Sequence, residues 1–169
     1  MTQVKQPILL FPLVLRMRIL VVCLGNICRS PIAEGVLRHK ARERGLNWTV
    51  DSAGTNSYHI GEPPHVSSQK VCKANGIDIS GQRARRFVKE DFKRYDLIYA
   101  MAKDVMEDIL TIGGNATDPT RLRLFLNELE DGCNRSVPDP WYGDEEGYLP
   151  VFEMIEATAE AILEKYDNR

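Results

Sequence analysis

Six residues, RILVVC at 18–23, constrain this chain more than any others. Successive side chains of a strand point to opposite sides, so a run that is apolar at neighbouring positions belongs to a strand covered on both faces. The run ends at Cys23 and passes through Leu24-Gly25-Asn26-Ile27-Cys28 into Arg29-Ser30-Pro31. Pro31 suits the first turn of a helix, where its missing N–H costs nothing. Ala33, Val36, Leu37 and Ala41 then line one side of that helix, which stops near Gly45. A buried strand turning directly into a helix is the opening of a parallel α/β unit.

The rest of the chain repeats the alternation. WTVDSAG (48–54) reads as a second strand, HVSSQKVCKANG (65–76) as a helix with an Asn-Gly stop, and DLIYAM (96–101) as a third strand. A helix follows with Val105, Met106, Ile109 and Leu110 facing inward, ended by Gly113-Gly114. LRLFL (122–126) is the fourth strand. The last helix, 146–166, spaces Phe152, Ile155, Ala159, Ile162, Leu163 and Tyr166 on one face. The expected fold is α/β: a three-layer sandwich with a central four-stranded parallel sheet flanked by helices on both faces. Ligands of such sheets sit beyond the carboxyl ends of the strands, which is where Cys23 falls.

Residues 17–169 make one domain of ordinary size. Residues 1–16 are expected to be an extension, disordered or a start assigned ahead of Met17. PILLFPLVL (7–15) follows Lys5 and faintly resembles a signal-peptide core, but it is too short to span a bilayer and lacks a small-x-small cleavage site. A formal charge of −2 gives no reason to expect nucleic acid or an anionic membrane as partner. Cys23, Cys28, Cys72 and Cys133 are too few for a disulfide-built secreted scaffold. A reduced, cytoplasmic protein is expected.

Cys23 to Arg29 is a C-x5-R loop between a strand and a helix N-terminus. Backbone N–H groups converge in such loops, and the helix end adds partial positive charge. Gly25 and Asn26 are the residue types that best adopt left-handed angles. Arg29 can offer two parallel N–H bonds to phosphate oxygens. The same field favours the thiolate of Cys23, and a Ser30 hydroxyl donating to it would favour the charged form further. These features together describe a sulfur nucleophile beneath a bound phosphate. Other readings stand beside this one. An isolated cysteine at a strand end is usually structural. Zinc would need ligands that Cys72 and Cys133 do not supply at short spacing. A Cys–His hydrolase would need His39, His59 or His65 as base. A C-x4-C redox pair would leave Gly25, Asn26, Arg29 and Ser30 unexplained.

Departure of an alcohol or phenol from phosphorus needs a proton donor from another loop at the same end of the sheet. Asp118-Pro119 precedes strand four and falls at its amino end. Asp139-Pro140 follows that strand in SVPDPWYG, beside two aromatics able to line a pocket. Asp139 is the candidate acid.

With these residues placed, the chain resembles the low-molecular-weight protein tyrosine phosphatases. VCLGNICRSP matches that family's signature, and VDSAGT (50–55), NGI (75–77), KEDF (89–92) and the Asp-Pro-aromatic-aromatic run (139–142) recur in family order over residues 17–167. The resemblance implies that Cys23 forms a phospho-cysteine intermediate, Arg29 binds the phosphoryl group, and Asp139 protonates the leaving phenol and then activates water. Leu24, Gly25, Asn26, Ile27, Cys28 and Ser30 would bind phosphate or order the loop. Tyr58, Trp141 and Tyr142 would form the rim. Cys28 would also be able to trap an oxidised Cys23 as a disulfide. No metal or organic cofactor is implied.

The implied partners are phosphotyrosine proteins or peptides, a tyrosine kinase among them, with phosphate, sulfate or vanadate as active-site anions. Ile27 stands where the similar arginine phosphatases typically carry threonine. Arsenate reductases of the same fold need shuttling cysteines, and Cys72 lies in a helix without a nearby second one. A non-catalytic phosphate-binding protein would need neither Cys23 nor Asp139. Two departures stand out. Gln82 replaces a histidine that supports the loop asparagine in the family and, still able to hydrogen-bond, is expected to support the loop from behind and leave it tuned and not dead; Ala102 replaces an aspartate found in some members. The RARR run (83–86) reads as a solvated basic face, or as a neighbour of the site favouring acidic phosphopeptides.

Overall fold

The computed structural model describes residues 16–167; the apolar run 7–15 lies outside them. Four strands form the sheet: β1 (Met17–Cys23), β2 (Trp48–Gly54), β3 (Leu97–Ala100) and β4 (Leu122–Leu124). They lie in the order β2-β1-β3-β4, and every pair is parallel. β1 is central. Its alternate residues feed two separate cores, which is why its apolar run is continuous. Ile19, Val21 and Cys23 pack with α1 (Arg29–Glu43), α2 (Val66–Ala74) and α5 (Tyr148–Tyr166) on one face. Leu20 and Val22 pack on the other face with Phe87, with Phe92 from the short helix α3 (Asp91–Arg94), and with Val105 and Ile109 from α4 (Lys103–Gly113). The three-layer arrangement is as expected.

Differences from the sequence reading are local. β4 ends at Leu124, and Phe125–Glu128 turn into a 3₁₀ segment. Phe125 is thereby fully buried against Tyr99, ring centroids 5.8 Å apart. Of the apolar side chains expected to face inward on α4, Val105 and Ile109 are fully buried; Met106 is partly covered, and Leu110 is 45% exposed. The helix lies near one edge of a narrow sheet, so its covered stripe holds an i, i+4 pair and little more. α3 begins within KEDF and ends at Arg94, too short a run to show periodicity.

The carboxyl ends of β1 and β2 are knitted together. Thr55 N–H donates to the Cys23 carbonyl and Asn56 N–H to Leu24, both at 3.0 Å. Gly54 has no room for a side chain: a Cβ there would lie 2.8 Å from the Leu24 oxygen and 3.0 Å from the Asn26 nitrogen. This close approach presses the loop after β1 against β2. The segment 84–87 closes it from outside, with Gly54 N–H donating to Arg85 O (2.8 Å) and Phe87 N–H to Gly54 O (2.7 Å).

Candidate active site

Cys23 is the last residue of β1 and Arg29 the first of α1, so the loop between them is a strand-to-helix turn. Asn26 holds φ +57°, the left-handed region that Asn tolerates better than other side chains. The turn directs its amides inward. Among the described residues, the main-chain N–H groups of Leu24, Gly25, Asn26, Ile27 and Cys28 have no protein acceptor, and no side chain caps the N-terminus of α1. Asn26 to Ser30 are nevertheless buried. Buried amides are ordinarily paired, so a row of unpaired ones facing a cavity is a cradle for an anion.

Side chains hold this strained turn from behind. The Asn26 amide Nδ2 donates to Ser30 Oγ and to Ser52 Oγ, each at 2.9 Å, while its Oδ1 accepts from Arg85 N–H at 3.0 Å. Ser52 Oγ in turn donates to Glu34 Oε2 at 2.5 Å. Burial pushes the Glu34 carboxyl up, opposed by the Ser52 hydroxyl and by Arg38, whose guanidinium lies 2.7 Å away. Ser30 Oγ lies 2.9 Å from Cys23 Sγ. Its hydroxyl can donate to the sulfur as the sequence reading expected, because the Asn26 amide already fills one of its acceptor positions.

Arg29 is 4% exposed, and its Nη1 donates to the Val137 carbonyl at 3.0 Å. Its Nη2 meets Asp139 Oδ2 at 3.2 Å. Its Nε is buried without a protein acceptor. The chain thus brings Cys23, Arg29 and Asp139 to one cavity of about 200 Å³, lined also by Leu24, Gly25, Ile27, Cys28, Asn56, Tyr58, His59, Trp141 and Tyr142. Tyr58 and Tyr142 are 83% and 81% exposed, forming a rim and not a core. Asp139 is fixed at the start of a 3₁₀ turn, where its Oδ1 accepts from Trp141 N–H at 3.1 Å. Asp118 instead caps the turn before β4, at the far edge of the sheet.

One expected role is corrected. Gln82 does not reach Asn26; it donates to the Pro31 carbonyl at 3.1 Å. The loop asparagine is held by Ser30, Ser52 and the Arg85 backbone, so the substitution at 82 leaves its bonding intact. Arg85, within the basic run, is committed to Asp91 at 3.0 Å, a carboxylate that is fully buried. Of the histidines, His39 pairs with Glu43 on the surface of α1. Among the described residues, no imidazole bonds Cys23 Sγ. Cys28 and Cys72 are buried thiols that desolvation pushes up to about 11 and about 12. Sequence reasoning missed Glu34, Ser52, Asn56 and Tyr148, and weighed His59 and His65 only as bases for a Cys–His hydrolase. Only their meeting in space marks them, although Glu34 follows Ser30 by one helical turn and so had to sit beneath the loop.

Among the described residues, no helix is long and apolar enough to cross a membrane. A parallel sheet presenting a thiol at the base of an amide cradle, with an arginine and a carboxylic acid beside it, defines a cysteine-dependent phosphate-transfer site. The family model described as low molecular weight phosphotyrosine protein phosphatase matches residues 18–169. The human protein of that name is 37% identical over 150 residues, covering 87% of this chain and 94% of its own. The low molecular weight protein-tyrosine-phosphatase YfkJ of Bacillus subtilis is 35% identical over 147 residues, covering 86% of this chain and 92% of its own. The YfkJ crystal structure matches with TM-score 0.81, covering 89% of this chain and 94% of that one. A Drosophila arginine phosphatase shares the fold at TM-score 0.83 and 29% identity, covering 90% of this chain and 99% of that one. The chain belongs to the low molecular weight phosphotyrosine protein phosphatase family of hydrolases.

Proposed function

We propose that this chain hydrolyses phosphotyrosine in proteins or peptides through a phospho-cysteine formed on Cys23. The unpaired amides of residues 24–28 are the observation that carries the reading: together with Arg29 Nε they provide acceptor-seeking N–H groups around a thiol. A tetrahedral oxyanion seated there would have its phosphorus above the sulfur. The thiolate attacks phosphorus, the bond to the phenolic oxygen breaks, and Asp139 delivers its proton to that oxygen. Asp139, now ionised, takes a proton from water as the water attacks phosphorus. The S–P bond then breaks, releasing phosphate and restoring the thiolate. Arg29 and the amides stabilise the charge spread over the equatorial oxygens in both steps.

The rim supports an aryl ester. Tyr58, Trp141 and Tyr142 offer faces to a flat ring, and Ile27, 6% exposed in the cavity wall, gives an apolar surface. A phosphoserine would hold its backbone against these walls before its phosphate reached the cradle. Four thiols without a disulfide suit a reducing compartment, and the cytoplasm is the proposed location, with residues 17–169 as the working domain. A tyrosine kinase is a fitting substrate, and phosphate, sulfate or vanadate should occupy the cradle.

The test is turnover of phosphotyrosine, phosphoserine and phosphoarginine peptides by the purified protein in chelator. Selective release of phosphate from phosphotyrosine, blocked by vanadate and lost in Cys23→Ser, is expected. Preference for phosphoarginine, or phosphate binding without any turnover, would overturn the reading.

A further inference from the structure

Trp141 is a half-exposed residue gripped on two sides. Its ring lies 5.8 Å from that of His59, tilted at 56°, and 5.4 Å from that of His65, edge-on at 75°. We infer that His59 and His65 are positioning residues for the general acid, clamping Trp141 and through it the Asp139 turn over the phosphate loop. The inference rests on the role proposed for Asp139 and adds how that carboxyl is held.

The link from Trp141 to the acid runs through its main chain: the Trp141 backbone N–H donates to Asp139 Oδ1 at 3.1 Å, so the residue whose ring is gripped is also the one that holds the carboxyl. Shifting residue 141 shifts the amide on which the carboxyl rests. Each histidine, in turn, is fastened to the phosphate loop. His65 N–H donates to the Ile27 carbonyl at 2.7 Å. His59 rests on Gly25, where an added Cβ would lie 3.1 Å from its Cδ2. Both rings are also fixed in rotation. Glu62 Oε2 sits 2.8 Å from His59 Nδ1. The His65 ring stacks on Tyr148 at 5.5 Å and 10°, and its Nδ1 accepts from Ser67 N–H at 3.2 Å. The acid turn is therefore registered against the loop that holds the phosphate, although the two are more than a hundred residues apart in the chain.

The tautomer follows from these bonds. Ser67 N–H can only donate, so His65 Nδ1 carries no proton, and the Tyr148 hydroxyl 3.1 Å away donates to it as well. The Tyr148 oxygen is then open to the Cys28 S–H at 3.5 Å, in keeping with a thiol that burial pushes up to about 11. The group bonded to His65 is Tyr148 from α5, and through it Cys28 of the phosphate loop, with Asp139 beyond Trp141. The groups around His59 are Glu62 and the cavity groups Cys23, Arg29 and Asp139.

A positioning role for an acid has a signature that a packing role lacks. An acid matters more when the leaving group is poor. We therefore expect His59→Asn and His65→Asn each to lower kcat/KM for phenyl phosphate by about 10-fold, a fraction of the ~10²–10⁴ that a general acid supplies. For p-nitrophenyl phosphate, whose leaving group needs little help, the fall should stay within about threefold. Asn at 65 keeps an oxygen for Ser67 N–H, so the helix cap survives. A second readout is the Trp141 indole N–H resonance, assigned against Trp48→Phe. It should shift and broaden in each Asn variant relative to wild type, because the indole loses one of the two rings that flank it. Equal loss on both substrates, no loss on either, or a Trp141 resonance unmoved in both variants would overturn the clamp. Failure of the wild type to cleave either ester would instead overturn the proposed function, so the two failures are distinct.

Discussion

Replacing Asn26 by Ala tests how the loop is held. The change removes three buried hydrogen bonds, to Ser30, Ser52 and Arg85 N–H. At about 1 kcal/mol net per bond, with extra cost for leaving the Arg85 amide unpaired, the loss is roughly 3–4 kcal/mol. A non-glycine residue other than Asn or Asp at φ +57° adds about 1 kcal/mol more. A total near 4–5 kcal/mol corresponds to a fall in Tm of roughly 10–15 °C for a chain of this size. Activity should fall further than stability alone requires, by about 10²-fold in kcat/KM, because the amides lose their common focus. Asn26→Gly separates the two effects, since glycine adopts the same φ freely. It should be more stable than Ala by about 1 kcal/mol yet equally slow. The assay is a thermal melt beside steady-state kinetics on a phosphotyrosine peptide, below the Tm of the weakest variant. A Tm within 2–3 °C of wild type together with kcat/KM within about threefold would refute the reasoning.

Asp139→Asn should lower kcat on a phosphotyrosine peptide by ~10²–10⁴-fold while leaving vanadate binding measurable by calorimetry; unchanged kcat would remove Asp139 from the chemistry. Gly54→Ala should cost activity and at least about 1–3 kcal/mol in a urea melt, the usual cost of overpacking, because its Cβ would meet the Leu24 oxygen at 2.8 Å; a neutral outcome would mean that the loop does not rest on β2. Alkaline pH provides a further test through Cys72, pushed up to about 12 by burial. Between the unfolded thiol value and the folded one, the unfolded chain has released this proton and the folded chain has kept it. Stability therefore falls as pH rises, by about 1.4 kcal/mol per unit for one group from roughly pH 9 upward. Cys72→Ala should flatten the slope of unfolding free energy against pH by that amount between pH 9 and 10.5; an unchanged slope would contradict the assignment.

The sequence made the central strand and the thiol loop legible because both are local. RILVVC shows two covered faces directly, and Cys23, Asn26, Arg29 and Ser30 lie within one turn whose chemistry has a single purpose. Asp139 was reachable by topology, since the order of elements decides which end of the sheet each Asp-Pro occupies. What escaped the reading was set by distant contacts. Leu110 fits the helical period but lies outside the narrow stripe that α4 covers. Phe125 leaves the fourth strand to fill the space beside Tyr99. Gln82 reaches Pro31 and leaves Asn26 to a serine on β2 and a backbone amide from the basic run. His59 and His65 carry no local signal, because the indole between them arrives from the other side of the fold.

The most direct measurement is identification of the phosphorylated residue during turnover. Acid quench of Asp139→Asn mixed with a phosphotyrosine peptide, followed by mass spectrometry of proteolytic fragments, should find one phosphoryl group on the fragment bearing Cys23, attached through sulfur, and none in Cys23→Ser. Phosphate release by Cys23→Ser at the wild-type rate, or a phosphoryl group on any other residue, would contradict the account.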